Sequence, residues 1–167
     1  MRHAKSSWDD PGLSDHARPL NPRGRAAAAA MRRMMQEAGL VPDLVLVSSA
    51  HRTLQTLDAL EPWTDTPLVE PMDVLYLATP AQLLQTLHKV AETVRSVLVL
   101  GHNPGLHDLA ATLAGPDGGS LHQRLAQGFP SGALAEFGIA GGWAELGEAS
   151  ARLVRFVTPR DLSAAND

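Results

Sequence analysis

A chain of 167 residues with 44% apolar and 19% charged residues is long enough for one domain with a sizeable core, and its composition is globular rather than disordered. Fourteen Lys and Arg against 18 Asp and Glu leave a formal net charge of -4, which argues against nucleic-acid binding through a broad basic face. The absence of cysteine excludes disulfides, thiolate metal sites and a cysteine nucleophile together.

The N-terminus reads Met1-Arg2-His3-Ala4-Lys5, with no apolar stretch behind it of the kind a signal peptide carries. No apolar run approaches the roughly 18 residues needed to cross a bilayer. The expectation is a cytoplasmic protein without membrane partners.

The first helix is predicted to start at Asn21-Pro22, a capping residue followed by proline at the first helical position. It runs through the Ala26–Ala30 tract to Gly39 and turns Met31, Met34, Met35 and Ala38 to one face, as core packing requires. Asp43–Ser48 is a continuous run of branched apolar residues and reads as a strand buried on both faces. A shorter strand follows over Pro67–Met72.

Thr79-Pro80-Ala81-Gln82 fits a capping box and opens a helix with Leu83, Leu87, Val90, Ala91 and Val94 on its buried side. Ser96–Gly101 repeats the buried-strand pattern. A helix opening at Asn103-Pro104 is expected to bury Leu106, Leu109, Ala110 and Leu113. Gly115–Gly132, rich in glycine and polar residues, reads as a long surface loop. Ala133–Ile139 and Arg152–Thr158 are predicted strands that Gly138, Gly141 and Gly142 would join as an antiparallel pair. Strand and helix alternate without repeat or linker. The prediction is a single α/β domain over residues 1–167, a three-layer sandwich with a mostly parallel central sheet.

In such sheets ligands bind beyond the carboxyl ends of the strands. Three segments there carry histidine or arginine: Arg2-His3, Ser49-Ala50-His51-Arg52-Thr53, and His102-Asn103-Pro104-Gly105. With Ser49 as helix cap, Arg52 falls in the first turn, where the macrodipole disfavours a cation. An anion bound at that helix end would remove the conflict. A zinc site from His3, His51 and His102 is the competing reading. Arg2 and Arg52 would repel a metal and attract phosphate, and no metal-ligand spacing is present. An anion site without metal or cofactor is therefore expected.

Arg2-His3-Ala4 resembles the Arg-His-Gly signature of the histidine phosphatase superfamily, also called phosphoglycerate-mutase-like. Residues 48–56, Ser-Ser-Ala-His-Arg-Thr-Leu-Gln-Thr, are similar to its second signature, and Gly101-His102-Asn103 to its third. Lys5-Ser6-Ser7-Trp8, Arg18–Gly24, Gly101–Gly105 and Pro130–Ala133 resemble the SixA-like phosphohistidine phosphatases in particular. The likeness extends to about Leu162. It departs from the pattern at Ala4, which replaces a glycine, and at the start, where only Met1 stands in place of an apolar strand.

The resemblance implies that His3 attacks phosphorus and is transiently phosphorylated. Arg2, Arg52 and His102 would stabilise the transferring phosphoryl group, and Arg18 would add a further phosphate contact. A general acid is the open position: Glu70 and Asp73 lie near the expected region, with Asp73 the candidate. The implied substrates are a protein carrying phosphohistidine or, alternatively, a small phosphate ester. A catalytically weak phosphate-binding relative is the third reading. His16, His88, His107 and His122 are expected to be surface or packing residues, and Lys5 and Trp8 either to shape the pocket mouth or to have a structural role alone. The missing first strand leads to a further expectation, that the natural gene encodes about four to seven more apolar residues upstream, the usual length of a strand.

Overall fold

The structure, a computed structural model, describes residues 1–116 and 119–164. At its centre β1 (Leu44–Ser48) is buried at all five positions. It pairs in parallel with β2 (Leu68–Met72) on one side and β3 (Val97–Leu100) on the other. Successive side chains of β1 enter opposite layers, as the period of a strand dictates. Val45 and Val47 pack with Met31 and Met35 of α1 (Pro22–Glu37) and with Leu57 and Leu60 of α2 (His51–Leu60). Leu44 and Leu46 pack instead with Leu83 and Leu87 of α3 (Pro80–Leu87) and Leu106, Leu109 and Leu113 of α4 (Gly105–Ala114). This is the three-layer α/β arrangement with a parallel central sheet, and it explains why β1 shows no polar alternation.

The local signals act where the sequence puts them. Asn21 caps α1 by accepting from the Gly24 N–H at 2.8 Å. Thr79 and Gln82 form the reciprocal capping box of α3. Two glycines set close approaches: a Cβ on Gly24 would collide with the Lys5 carbonyl, and one on Gly105 with the Ala78 carbonyl. They draw the loops after Met1–His3 and after β2 against the helix starts.

Three expectations need correction. Within Gly115–Gly132, residues 117 and 118 lie outside the described residues, but Ser120–Gln127 is a helix, α5. It contains neither Gly nor Pro, and Leu121 and Leu125, four apart, share a cluster with Phe129 and Phe156. The helix expected through Val94 stops at Leu87. Val90 and Val94 still pack on the core from the following turns, while Ala91 is exposed. Ala50, not Ser49, is the N-cap of α2, with no side-chain cap.

The final strands, β4 (Leu134–Ile139) and β5 (Ala151–Val157), form the expected antiparallel pair. Met1–His3 lies between them and the parallel sheet. The Gly101 N–H donates to Met1 O and the His3 N–H to Gly101 O, while the Arg2 N–H donates to Ala133 O and the Gly132 N–H to His3 O. This stub, a single parallel bridge from Arg2 to Gly101, ties the two sheets together at one end. Beyond Met1, a cavity of about 370 Å³ is lined by both strand edges, including Val97, Val99, Leu134 and Phe137. The Met1 amine is buried there, donates to Val99 O at 2.7 Å, and is pushed down by burial to a pKa of about 5. A sixth helix, α6 (Pro159–Ala164), packs against α1. Among the described residues no helix is long and apolar enough to cross a membrane.

Candidate active site

His3 ends the stub at the carboxyl edge of the sheet. Its Nδ1 lies 2.7 Å from the Ala4 carbonyl, which can only accept, so Nδ1 carries the proton and Nε2 presents a lone pair. Burial above all lowers its pKa to about 4, and the nearby charges of Arg52, Arg2 and Arg18 push the same way against the Ala4 hydrogen bond. The ring is therefore neutral at pH 7.

His102 follows β3, its ring centroid 5.1 Å from that of His3. Arg52 Nη2 sits 3.3 Å from His102 Nδ1, and a guanidinium only donates, so Nδ1 is the acceptor. The proton is thus on Nε2, which donates to Ser48 Oγ at 2.8 Å. Ser48 is the last residue of β1 and fully buried, so one strand end orients the histidine of the next. Burial is the first cause that holds His102 down to a pKa of about 3, followed by His3 and Arg52.

Arg52 is the second residue of α2 and only 3% exposed. It has a clear partner: its guanidinium binds Asp15 twice, Nη1 to the carbonyl at 2.5 Å and Nη2 to the carboxylate at 2.9 Å. Arg18 donates to Ser7 O, Ser6 Oγ and the other Asp15 oxygen, and Trp8 lies over its face at 3.1 Å. Arg2 donates to Phe129 O, while its Nε and the Oδ1 of Asn103 are buried without a partner.

The structure thus brings together His3, His102, Arg2, Arg18 and Arg52. It does not bring in Asp73, which is exposed on a 3-10 turn (Asp73–Leu75) and makes no side-chain hydrogen bond or ion pair to these groups. Glu70 is likewise exposed, on β2. His51 binds the Ala17 carbonyl from an exposed position. Among the described residues no three His, Asp or Glu side chains gather as a metal would require. His88, His107 and His122 hold the carbonyls of Leu146, Leu125 and Ala114, as packing residues do. His16 does more than pack. It meets Tyr76 edge-on at 4.8 Å and pairs with Ser49 Oγ, on the rim of the site.

Sequence reasoning missed Asp15, Tyr76 and Ser48. The Tyr76 hydroxyl donates to Asp15 Oδ2 at 2.7 Å, and its ring stands edge-on to His102. Asp15 precedes Arg18 by three residues, a spacing that was available as a signal. Ser48 stands at the strand end that opens the 48–56 segment, but nothing there marks its contact with His102, and Tyr76 carried no signal.

Fold and site together define a phosphoglycerate-mutase-like α/β protein with a histidine–arginine centre at its strand ends. Solved structures agree. A candidate phosphohistidine phosphatase SixA from Agrobacterium tumefaciens has a TM-score of 0.78 at 32% identity, covering 95% of either chain. Its counterpart from Nakamurella multipartitia has a TM-score of 0.84 at 29% identity, covering 95% of this chain and 93% of the other. The protein histidine phosphatase SixA complexed with tungstate shares the fold at a TM-score of 0.77 and 23% identity, over 97% of this chain and 96% of that one. An uncharacterized protein of Mycobacterium tuberculosis is 36% identical over 162 residues, 96% of this chain and 100% of the relative. No protein-family model matches the chain. The chain belongs to the histidine phosphatase superfamily, in its SixA-like branch, and is an enzyme of the phosphatase class.

Proposed function

We propose that this protein is a metal-independent phosphatase that works through a phosphohistidine on His3 and acts on phosphohistidine of a protein. The observation that carries the reading is the neutral His3 ring, with Nδ1–H held by Ala4 and Nε2 bare beside Arg52 and His102. Nucleophilic attack needs that tautomer. Nε2 bonds to phosphorus as the bond to the leaving group breaks, and the leaving nitrogen takes up a proton. Water then attacks phosphorus, the P–Nε2 bond breaks, and inorganic phosphate leaves. Arg2, Arg18 and Arg52 are assigned to the phosphoryl oxygens, where preorganised donors contribute most, and His102, whose bare Nδ1 accepts from Arg52, holds that guanidinium in place.

The leaving group is argued from the acid. Among the described residues Asp15 is the carboxylate hydrogen-bonded or ion-paired to this cluster. The Tyr76 hydroxyl first, and then Arg52 and Arg18, hold it ionised with a pKa of about 2, so it has no proton to give at neutral pH. An alkoxide leaving group needs an acid, whereas imidazole, with an unperturbed pKa of ~6.5, protonates readily from solvent. Exposed Asp73 lends the small-ester reading no support. The test compares wild type with His3→Ala, with excess chelator throughout, first on p-nitrophenyl phosphate and then on a phosphohistidine protein against small phosphate esters. Expected are turnover that ignores the chelator, preference for the phosphohistidine protein, and an acid-labile phosphoenzyme only in the wild type. Loss of activity with chelator, or turnover by His3→Ala, would overturn the mechanism.

A further inference from the structure

Asp15 stands apart from the groups assigned so far. It sits on the loop between the Met1–His3 stub and α1, yet its carboxylate reaches three side chains from separate parts of the fold. Oδ1 accepts from Arg18 at 2.8 Å, and Oδ2 accepts from both Arg52 at 2.9 Å and Tyr76 at 2.7 Å. Its backbone carbonyl takes the other terminal nitrogen of Arg52. Arg52 is consequently gripped on two nitrogens by one residue, and the one on the carboxylate, Nη2, also faces His102. The Asp15 side chain is 43% exposed while that of Arg52 is 4% exposed, so the carboxylate lies on the solvent side of the arginines.

The charges lead to the same residue. Arg2, Arg18 and Arg52 bring three positive charges to a site whose two histidines are neutral, and Asp15 removes one. The remaining balance of two matches a phosphoryl dianion. A site with three uncompensated arginines would hold the product more tightly than it needs to, which slows release without helping the transition state.

We propose that Asp15 is the positioning residue of this site, which fixes Arg52 and Arg18 and limits the site's net charge so that phosphate is released. The proposal rests on the phosphatase reading for its kinetic half and on the anion site alone for its binding half. Asn at this position presents one acceptor, and its amide hydrogens oppose the arginine donors, so one arginine is let go and the charge rises by one.

The experiment sets wild type beside Asp15→Asn, Asp15→Ala and Asp15→Glu. Binding of inorganic phosphate is followed by calorimetry, and turnover of p-nitrophenyl phosphate gives kcat and KM. Asp15→Asn and Asp15→Ala should bind phosphate roughly tenfold more tightly, as removal of one nearby negative charge implies. Their kcat should fall about tenfold or more while KM does not rise. Asp15→Glu, which restores the carboxylate, should recover part of kcat and the weaker phosphate binding. Phosphate affinity that falls together with kcat would reduce Asp15 to a structural support, and unchanged affinity and kcat would remove it from the site; either result overturns the proposal. If the wild type binds phosphate but hydrolyses nothing, the phosphatase reading fails and the binding comparison still judges Asp15. If the wild type binds no phosphate, both fail together.

Discussion

The Ala4 carbonyl, one residue beyond the histidine it serves, lies 2.7 Å from Nδ1 of His3. A backbone acceptor at that spot fixes the tautomer without adding charge, and it does so through the Ala4–Lys5 peptide. Ala4 is itself buried, and its N–H donates to Thr56 Oγ1 at 3.0 Å, so the carbonyl is held from α2. The replacement of glycine by alanine at this position therefore costs the arrangement nothing visible.

Replacing His3 with alanine should lower kcat by roughly a thousandfold or more, the scale on which removal of a nucleophile acts. The ring has few apolar partners at the end of a three-residue stub, so the melting temperature should hold within about 2 °C. Activity assays and circular dichroism on one preparation check both halves. A variant that loses its fold with its activity would leave His3 a structural role.

The pH profile follows from the depressed histidines. His3 must be neutral to attack, and its pKa of about 4 keeps it so well below neutrality. For a substrate that does not itself titrate in this range, kcat/KM should stay level from neutral pH down to about pH 5 and fall below it. An acid limb centred near 6.5, the value of a free histidine, would contradict the burial argument.

Stability should show the same groups with a definite sign. The folded pKa values of His3 and His102, about 4 and about 3, lie below the unfolded value of ~6.5. The unfolded chain thus binds more protons, and stability declines as pH falls from about 6.5 towards 3. Denaturant melts across that window should steepen this loss in the wild type and flatten it in His3→Ala/His102→Ala. Parallel curves would place the histidines in a wetter site.

Arg52→Ala should weaken phosphate binding by roughly 10- to 100-fold, since charge-assisted hydrogen bonds contribute ~1.5–3 kcal/mol each. Arg52→Lys should not restore it. A single ammonium cannot hold both the Asp15 carbonyl and carboxylate and also face His102, as the planar fork does. Calorimetry with phosphate decides the matter, and full rescue by lysine would show that charge alone suffices.

Extending the chain by four to six alternating apolar residues ahead of Met1 should raise the melting temperature by several degrees. The Met1 carbonyl already pairs with Gly101 N–H and its amine with Val99 O, so in this parallel register an added residue three positions before Met1 comes level with Val97. The extension would convert a desolvated amine into a peptide group and fill the cavity between β3 and β4. A Gly-Ser extension of equal length relieves the amine alone and should raise the melting temperature less. Equal melting for all three chains would mean that neither the amine nor the cavity limits stability.

What the sequence determined by itself is whatever depends on neighbours along the chain. The unbroken apolar run of β1 and its double burial, the Asn21 cap, the Thr79–Gln82 box, and the placement of Arg2-His3, Arg52 and His102 beyond strand ends are all of this kind. Each is a pattern over a few residues with a direct backbone consequence, and the strand-end rule then carries three segments to one edge. The three-layer fold was legible for the same reason. The tertiary structure alone decided the contacts between those segments. Asp15 meets Arg52 across 37 positions and Tyr76 across 61, and His102 finds Ser48 across 54. Nothing local marks such pairs, because their distances are set by how loops settle on packed helices. Helix α5 shows the limit as well, since Leu121 and Leu125 define a face only once Phe129 and Phe156 stand against it. A side chain's chemistry is written in its type, but its pKa, tautomer and partner come from burial and from neighbours that only folding supplies.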